Sequence, residues 1–245
     1  MNFIRKIVKP KSKEDEGFYY ELKKLLNFSP RKLDYYKKSF THRSLKQLDS
    51  KGKPFNYERL EFLGDAMLGS IIASYLYKKV PKGNEGYLTQ MRSKIVSREH
   101  LNELGKDLNL IRFVKSNVSK ENIGENIYGN IFESLVGAIY LDRGYNYCKK
   151  FIYEKVITPY VDIQKLEGKI TSYKGLIIEW FQKQKKQYDF DVYEDSGNEN
   201  IKHFSVKISV DGVLVAKGRA TSKKKAEEQA SKRVFFAMQE EITNS

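Results

Sequence analysis

Cysteine and histidine are scarce in this sequence, and their scarcity excludes two kinds of stabilising centre. Cys148 is the one cysteine of the chain, so no disulfide can form within it. The histidines His42, His100 and His203 lie far apart, whereas a zinc site built from cysteine and histidine needs closely spaced ligands. Apolar cores must therefore stabilise the fold, and a hydrophobic content of 40% over 245 residues is sufficient for them.

Long apolar runs are also missing. The longest apolar-rich stretch, AMLGSIIASYLY at 66–77, is too short and too interrupted to span a bilayer. The opening segment MNFIRKIVKPKSK is basic but lacks the apolar run of a secretory signal. We therefore expect a soluble protein of the reducing cytoplasm, with no membrane partner.

Acidic residues are outnumbered, because the chain has 45 Lys+Arg against 31 Asp+Glu and a formal net charge of +14. Such an excess indicates an anionic partner, either nucleic acid or an anionic membrane surface. Binding to a membrane surface would need a long amphipathic helix, and the basic segment 1–16 does not provide one. Nucleic acid is therefore the better-supported partner.

Hydrophobic periodicity divides the chain into two domains. After a basic, flexible leader at 1–16, apolar residues recur at three- and four-residue steps through 17–161, which predicts an all-α domain. The polar segment 162–171 is predicted to be a linker. Strand patterns between two helical patterns in 172–241 predict an α-β-β-β-α domain. The expected fold class is thus multidomain, all-α followed by α+β.

Two apolar helical segments contain clustered oxygen-bearing side chains. In NYERLEFLGDAML (56–68) three acids fall within about 60° of one another on a helix. No basic residue stands three or four positions from any of them. In YGNIFESLVGAIYLD (128–142) an asparagine and a glutamate stand three residues apart. These side chains either form a solvated stripe, make salt bridges to another helix, or bind a divalent cation. The residues concerned are Glu58, Glu61, Asp65, Asn130 and Glu133.

The first of these segments closely resembles the signature of the ribonuclease III family. Three further segments resemble other blocks of that family in the same order, namely THRS (41–44), NEGYLTQMRSKIVSREHL (84–101) and GNIFESLVGAIYLD (129–142). The resemblance covers most of residues 18–241, and its first motif is long and specific. It implies a bacterial-type ribonuclease III, with one endonuclease domain followed by one double-stranded RNA-binding domain.

The resemblance also implies residue roles. Glu61, Asp65, Asn130 and Glu133 match positions that bind catalytic Mg²⁺, with Mn²⁺ as the substitute ion, and Asp65 and Glu133 match the most critical catalytic carboxylates. Asn130 departs from the family, which usually has Asp there, and an amide oxygen coordinates Mg²⁺ without adding charge. Two further acids match positions that line the RNA valley, namely Glu58 and Glu85.

Other polar residues of these blocks have plainer interpretations. We expect His42 to be a hydrogen-bonded structural histidine rather than a general base. Arg92 and Lys94 either face RNA phosphates or are ordinary surface residues.

Three lysines open the last predicted helix, although the helix dipole disfavours cations there. Ser222 is a suitable N-cap, and lysines beside free backbone N–H groups suit a phosphate, the alternative being a solvated lysine run. The α-β-β-β-α order with KGRATSKKKAEEQA resembles the double-stranded RNA-binding domain, which reads A-form shape rather than base sequence. The candidate RNA-binding residues are Glu179, Asn200, Lys202, Lys223, Lys224 and Lys225.

Together these resemblances imply a Mg²⁺-dependent endoribonuclease that cleaves double-stranded RNA to 5′-phosphate and 3′-hydroxyl ends, in the processing of rRNA and mRNA precursors. They also imply a homodimer formed through the catalytic domain. The alternative is a non-catalytic double-stranded RNA-binding or ribosome-associated protein that retains the fold. Loss of several metal ligands would favour that alternative. Among the four metal-ligand positions, only Asn130 departs from the family's usual residue.

Overall fold

The computed structural model describes residues 12–119, 123–167, 170, 172–195 and 201–243. The chain divides into two compact units, Met1–Glu167 and Gly168–Ser245. The described part of the first unit is helical, and that of the second combines a three-stranded sheet with helices. The predicted fold class is therefore confirmed.

The first unit consists of nine α-helices with short 3₁₀ and π-helical turns among its described residues. The α-helices are α1 (Lys13–Leu26), α2 (Leu33–Ser39), α3 (Glu58–Lys79), α4 (Glu85–Ile95), α5 (Arg98–Asp107), α6 (Ile127–Arg143), α7 (Tyr145–Ile152), α8 (Thr158–Tyr160) and α9 (Ile163–Glu167). The 3₁₀ turns span Arg43–Leu45 and Leu110–Phe113, and the π-helical turn spans Tyr153–Ile157.

Helix α6 lies at the centre of the first unit and is surrounded by α2, α3, α5 and α7. Its apolar side chains, among them Phe132 and Leu135, are fully buried. Near its end the buried Asp142 accepts hydrogen bonds from the backbone N–H groups of Arg31 and Lys32 and from the Tyr36 hydroxyl group. This carboxylate therefore attaches the start of α2 to α6.

Glycines allow α3 and α6 to approach each other closely. A Cβ atom at Gly64 of α3 would collide with the backbone carbonyl of Glu133 in α6. A Cβ atom at Gly137 of α6 would likewise collide with the backbone carbonyl of Leu60. The two helices thus touch through their backbones beside the acidic residues of both segments.

The structure differs from the sequence-based helix predictions at three places. Apolar residues recur with a helical period through 87–104, which predicts one helix, but the segment belongs to two. Helix α4 ends at Ile95, and Ser97 accepts a hydrogen bond from the His100 N–H group as N-cap of α5. The first half of the predicted linker 162–171 is the short helix α9. The apolar residues around most of the circumference of 60–68 predict a well-buried helix, but the Phe62 side chain of α3 is 79% exposed.

The second unit has the predicted α-β-β-β-α order. Strands β1 and β2 are antiparallel and pair Tyr188 with Val210, and β2 and β3 are joined by a tight turn at Asp211–Gly212. Both turn residues have positive φ, as a type I′ hairpin requires. The elements are α10 (Tyr173–Lys183), β1 (Tyr188–Glu194), β2 (Phe204–Val210), β3 (Val213–Ala220), α11 (Lys223–Ala237) and α12 (Gln239–Thr243).

The helices of the second unit cover one face of its sheet. Trp180 and Phe181 of α10 and Val234 of α11 are buried with Val206 and Ile208 of β2. Apolar and polar residues alternate in HFSVKISV (203–210), and β2 has this alternation of faces, except that Ser205 on the polar face is also buried. Its hydroxyl group donates a hydrogen bond to the Asp195 carboxylate.

Among the described residues, no helix is both long and apolar enough to cross a membrane.

Candidate active site

The first unit contains an open pocket of about 610 Å³ at the junction of α3, α5 and α6, which we call the acid pocket. Helix α3 supplies its three acids and α6 supplies an asparagine and a further acid. These two helices meet through Gly64 and Gly137, so their close approach brings the acids of both sequence segments together. The polar side chains lining the pocket are Glu58, Glu61, Asp65, Arg98, Asn130 and Glu133.

Glu133 is the acid with the most perturbed pKa in this pocket. Burial, with the nearby Asp65 and Glu61 carboxylates, raises its pKa to about 7, while Arg98 opposes the rise. Burial also raises the pKa of Glu61, again against the influence of Arg98. Both carboxylates are therefore easier to protonate than an exposed glutamate, because negative charge in the pocket is only partly compensated.

Glu58 lies at the rim of the pocket and has a local partner. The Arg43 guanidinium group, from the 3₁₀ turn before α3, lies 3.3 Å from its carboxylate. Asn56 also donates a side-chain hydrogen bond to Glu58 and accepts one from the Glu58 backbone N–H group. Tyr57 is the N-cap residue, and Asn56 stabilises the helix start from the position before it. The ion pair with Arg43 and the position at a helix start thus account for the negative charge of Glu58.

The sequence-based prediction missed Arg98, the first residue of α5. Its Nη1 donates a hydrogen bond of 3.1 Å to Oδ1 of Asn130. Burial raises the pKa of Tyr57, and the nearby Asn130 side chain opposes that rise. The hydrophobic periodicity does not identify Arg98 as a pocket residue, because its position depends on the break between α4 and α5. The one available indication was that a cation in the first turn of a helix is unfavourable.

Glu85 does not lie with the other acids in this chain. It is the first residue of α4, it accepts a hydrogen bond from Thr89, and it lines a different groove between α3 and α4 with Tyr77 and Arg92. Lys94, considered as a phosphate-facing residue, is buried instead. Its Nζ donates to the backbone carbonyls of Leu166 and Glu167 and so caps α9.

His42 is structural, as the sequence predicts. Its Nδ1 lies 2.9 Å from the Ser44 hydroxyl oxygen, and burial followed by the neighbouring Arg43 charge lowers its pKa. The ring stacks near Tyr57 at a centroid distance of 5.8 Å. It therefore supports the turn from which Arg43 reaches Glu58.

The donor set of the acid pocket suits a divalent cation. Glu61, Asp65 and Glu133 offer carboxylates and Asn130 offers an amide oxygen, and Mg²⁺ prefers oxygen ligands of this kind. A cation would also relieve the repulsion that raises the pKa of Glu133. Within the described ranges, no three His, Cys, Asp or Glu side chains are close enough together to hold an ion as they stand.

In the second unit, Ser222 is the N-cap of α11 and accepts a hydrogen bond from the Lys225 backbone N–H group, as predicted. Lys223, Lys224 and Lys225 are exposed at this helix start, and Lys223 lies over the Phe204 ring. Other candidates are less available or differently placed. Lys202 pairs with Glu194 at 2.7 Å, Glu179 is exposed on α10, and Asn200 lies outside the described residues.

Family models match both units of the chain. Residues 34–160 match the model described as Ribonuclease-III-like. Residues 173–235 match the double-stranded RNA binding motif. The first match contains the whole acid pocket, and the second contains the lysines at the start of α11.

Similarity to relatives named Ribonuclease 3 extends over the whole chain. The relative from Zunongwangia profunda is 63% identical over 242 residues, which cover 99% of this chain and 100% of that protein. The relative from Flavobacterium psychrophilum is 62% identical over 243 residues, 99% of either chain. A solved nuclease domain of ribonuclease III from Campylobacter jejuni, described as flexible in a region involved in dimer formation, has a TM-score of 0.51 at 28% identity. That match covers 57% of this chain and 96% of the solved one.

Proposed function

The chain belongs to the ribonuclease III family, and from that premise we propose that its acid pocket hydrolyses phosphodiester bonds of double-stranded RNA. The main support is the convergence of Glu61, Asp65, Asn130 and Glu133 on one open pocket of the family-matching unit. The second unit matches a double-stranded RNA binding motif, so one chain combines a reactive pocket with a duplex-binding module. The expected products have 5′-phosphate and 3′-hydroxyl ends.

The pocket residues have different proposed roles in this reaction. Glu61, Asp65 and Glu133 supply charge and oxygen ligands for Mg²⁺, and Asn130 supplies a neutral oxygen. When bound, Mg²⁺ activates water and offsets charge on the scissile phosphate and the leaving 3′ oxygen. Mn²⁺ prefers similar ligands and is the expected substitute. Because burial and the nearby carboxylates raise the pKa of Glu133 to about 7, this carboxyl group must release its proton before it can act as a ligand.

The second unit positions the substrate. The exposed lysines at the start of α11 combine ammonium charge with a capped helix N-terminus, which suits the phosphates of an A-form duplex. The residues proposed to contact RNA are Glu179, Asn200, Lys202, Lys223, Lys224 and Lys225. We place the reaction in the cytoplasm, with structured precursors of rRNA and mRNA as substrates.

We further propose that the first unit forms a homodimer. Phe62 and Tyr77 of α3 are 79% and 73% exposed, so an apolar stripe of this helix is uncovered in the single chain. Exposed apolar patches of this kind are typical of protein interfaces. The dimer region described for the C. jejuni nuclease domain supports the same idea. Two copies would provide one acid pocket for each strand of a duplex.

The test of the proposed function is cleavage of a long RNA duplex with Mg²⁺ by wild type and by Asp65→Asn and Glu133→Gln. Wild type should cleave, and either substitution should remove cleavage while duplex binding persists, because each deletes a charged ligand without changing the helix. Glu16→Gln, which changes an exposed acid of α1, serves as the control and should cleave normally. Cleavage by either pocket variant within a few-fold of wild type would exclude this site.

A further inference from the structure

Arg98 is a cation on the wall of a pocket otherwise lined by acids. It is the first residue of α5, where the helix dipole disfavours positive charge. Its influence on the pocket is nevertheless direct, because it lowers the pKa of Glu61 and of Glu133. An exposed arginine in an unfavourable helix position and beside reactive carboxylates is not explained by folding alone.

The Asn130 amide orients this guanidinium group. Nη1 of Arg98 donates to Oδ1 of Asn130 at 3.1 Å. Because arginine can only donate hydrogen bonds, the Asn130 atom that faces it must be the oxygen. The amide nitrogen then points away from Arg98 and is available to the Tyr57 hydroxyl group. Asn130 therefore presents its side-chain oxygen to Arg98.

Most of the donors of Arg98 remain unused in the pocket. A guanidinium group carries five N–H donors, and one of them accounts for the hydrogen bond to Asn130. Among the residues that the structure describes, no carboxylate lies within 4.0 Å of Arg98 as an ion-pair partner. The planar fork of arginine matches the geometry of phosphate oxygens, so an RNA phosphate entering the pocket is a fitting partner.

We propose that Arg98 is a phosphate-binding residue of the acid pocket and that Asn130 holds its guanidinium group in place to receive one RNA phosphate. This inference rests on the proposed function, because it requires RNA to enter the pocket. It gives the neutral residue Asn130 a second task besides metal binding. An aspartate at position 130 would pair with Arg98 as an ion pair and withdraw it from the substrate.

The test measures binding of a fluorescent RNA duplex to the full chain across a salt series. Ca²⁺ replaces Mg²⁺, and a gel confirms that the duplex stays intact. Arg98→Gln should weaken binding roughly tenfold, and the slope of log affinity against log salt should decrease in magnitude by about one. Arg98→Lys should restore the slope but not the full affinity, because lysine keeps the charge without the planar fork.

The matched control is Arg31→Gln, which removes an exposed arginine of the same unit away from the pocket and should leave both affinity and slope unchanged. In the Asn130→Asp background, Arg98→Gln should lower duplex affinity less than threefold. Equal behaviour of Arg98→Gln and Arg31→Gln would overturn the proposal, as would an undiminished Arg98 effect beside Asp at position 130.

Mg²⁺-dependent cleavage by wild type, measured in parallel, tests the proposed function separately. If wild type cleaves but Arg98→Gln binds like the control, the role of Arg98 is wrong and the nuclease assignment stands. If wild type does not cleave, the nuclease assignment fails, and the binding comparison still decides whether Arg98 contacts phosphate.

Discussion

Glu133 bears the largest electrostatic cost among the pocket residues. It comes from the central helix α6, it is half-buried, and it faces two other carboxylates. A protein that needed only a stable fold would gain by neutralising it, because burying an uncompensated charge is unfavourable. The cost is consistent with a site built to hold a cation, and it can be measured through the pH dependence of folding.

In metal-free protein, the free energy of unfolding should fall as the pH rises from about 4.5 to about 7. The sign follows from linkage: the folded pKa of Glu133 lies above the value of 4.5 for an exposed glutamate, so the folded state binds more protons in this window. Glu133→Gln removes that titration, so the decrease in the free energy of unfolding over this pH window should be smaller by on the order of 1–3 kcal/mol. Urea unfolding in EDTA at several pH values measures it.

The control for this experiment is Glu16→Gln, which changes an exposed acid of α1 outside the acid pocket. Its pH profile should follow wild type through the whole window. A Glu133→Gln profile as steep as that of wild type would mean that Glu133 is ordinarily ionised in the folded protein.

Asn130 separates an active enzyme from a binding protein that retains the fold. A neutral ligand lowers the charge of the site by one unit, so we expect cleavage with a raised Mg²⁺ requirement. Asn130→Asp should lower that requirement without moving the cut positions, although ion pairing with Arg98 will absorb part of the gain. Asn130→Ala removes the ligand and should cost more activity than the aspartate adds.

The measurement for Asn130 is duplex cleavage titrated against Mg²⁺ for wild type and both variants. Inert wild type at every concentration, together with cleavage by Asn130→Asp, would identify a duplex-binding protein that has lost nuclease activity.

Two helices determine the geometry of the pocket, and their contact is made by glycine. Gly64 precedes Asp65 in α3, and its α-carbon lies against the carbonyl of Glu133 in α6. Gly64→Ala should therefore push the helices apart, destabilise the first unit by at least about 3 kcal/mol, and lower cleavage further than the loss of folded protein explains. Thermal unfolding and activity per folded molecule measure the two effects.

The same helix offers a matched control in Gly69, where an added Cβ meets no atom within 4 Å. Gly69→Ala should be neutral or stabilising by up to about 1 kcal/mol, because alanine is the better helix former. If Gly64→Ala is tolerated as well as Gly69→Ala, the backbone contact does not determine the separation of the helices.

The elements that the sequence predicts well are those stabilised by their own pattern. Apolar residues alternate with polar ones in YDFDVYE (188–194), and this segment is strand β1, Tyr188–Glu194, because alternate residues face the core. The cap at Ser222 and the turn at Asp211–Gly212 follow from local chemistry in the same way. The family resemblance likewise brings Asp65 and Glu133 into one site, and the structure places both in the acid pocket.

What the sequence does not predict depends on contacts between distant residues. Lys94 looks like a surface residue, yet it is buried because the end of α9 folds back to meet it 72 residues later. Arg98 reaches Asn130 only because α4 ends before it. Ser205 is buried, and its hydroxyl group donates a hydrogen bond to the Asp195 carboxylate. No periodicity in the chain encodes these partners.

Positive charge is unevenly distributed over the whole molecule. Residues 168–245 contain 14 Lys+Arg and 11 Asp+Glu, so the second unit contributes only 14 − 11 = +3 of the net charge of +14. Phosphate contacts dominate duplex affinity, and a nearly neutral unit must therefore bind through a local patch. Lys223, Lys224 and Lys225 form the densest group of exposed cations in that unit among its described residues.

Replacing Lys223, Lys224 and Lys225 together by glutamine should weaken duplex binding. The slope of log affinity against log salt should decrease in magnitude by the amount that corresponds to up to about three phosphate contacts. The fold should not suffer, because Ser222 still caps α11. Removing cations from a helix start should even stabilise the unit by a few tenths of a kcal/mol per lysine. The control removes the same charge from the far end of α3 and the residues after it, at Lys78, Lys79 and Lys82. The end of α3 lies about 20 Å along the helix from Asp65 of the acid pocket. Gel-shift affinities and salt slopes that are equal for the two triple variants would show that the lysines of α11 form only a solvated surface.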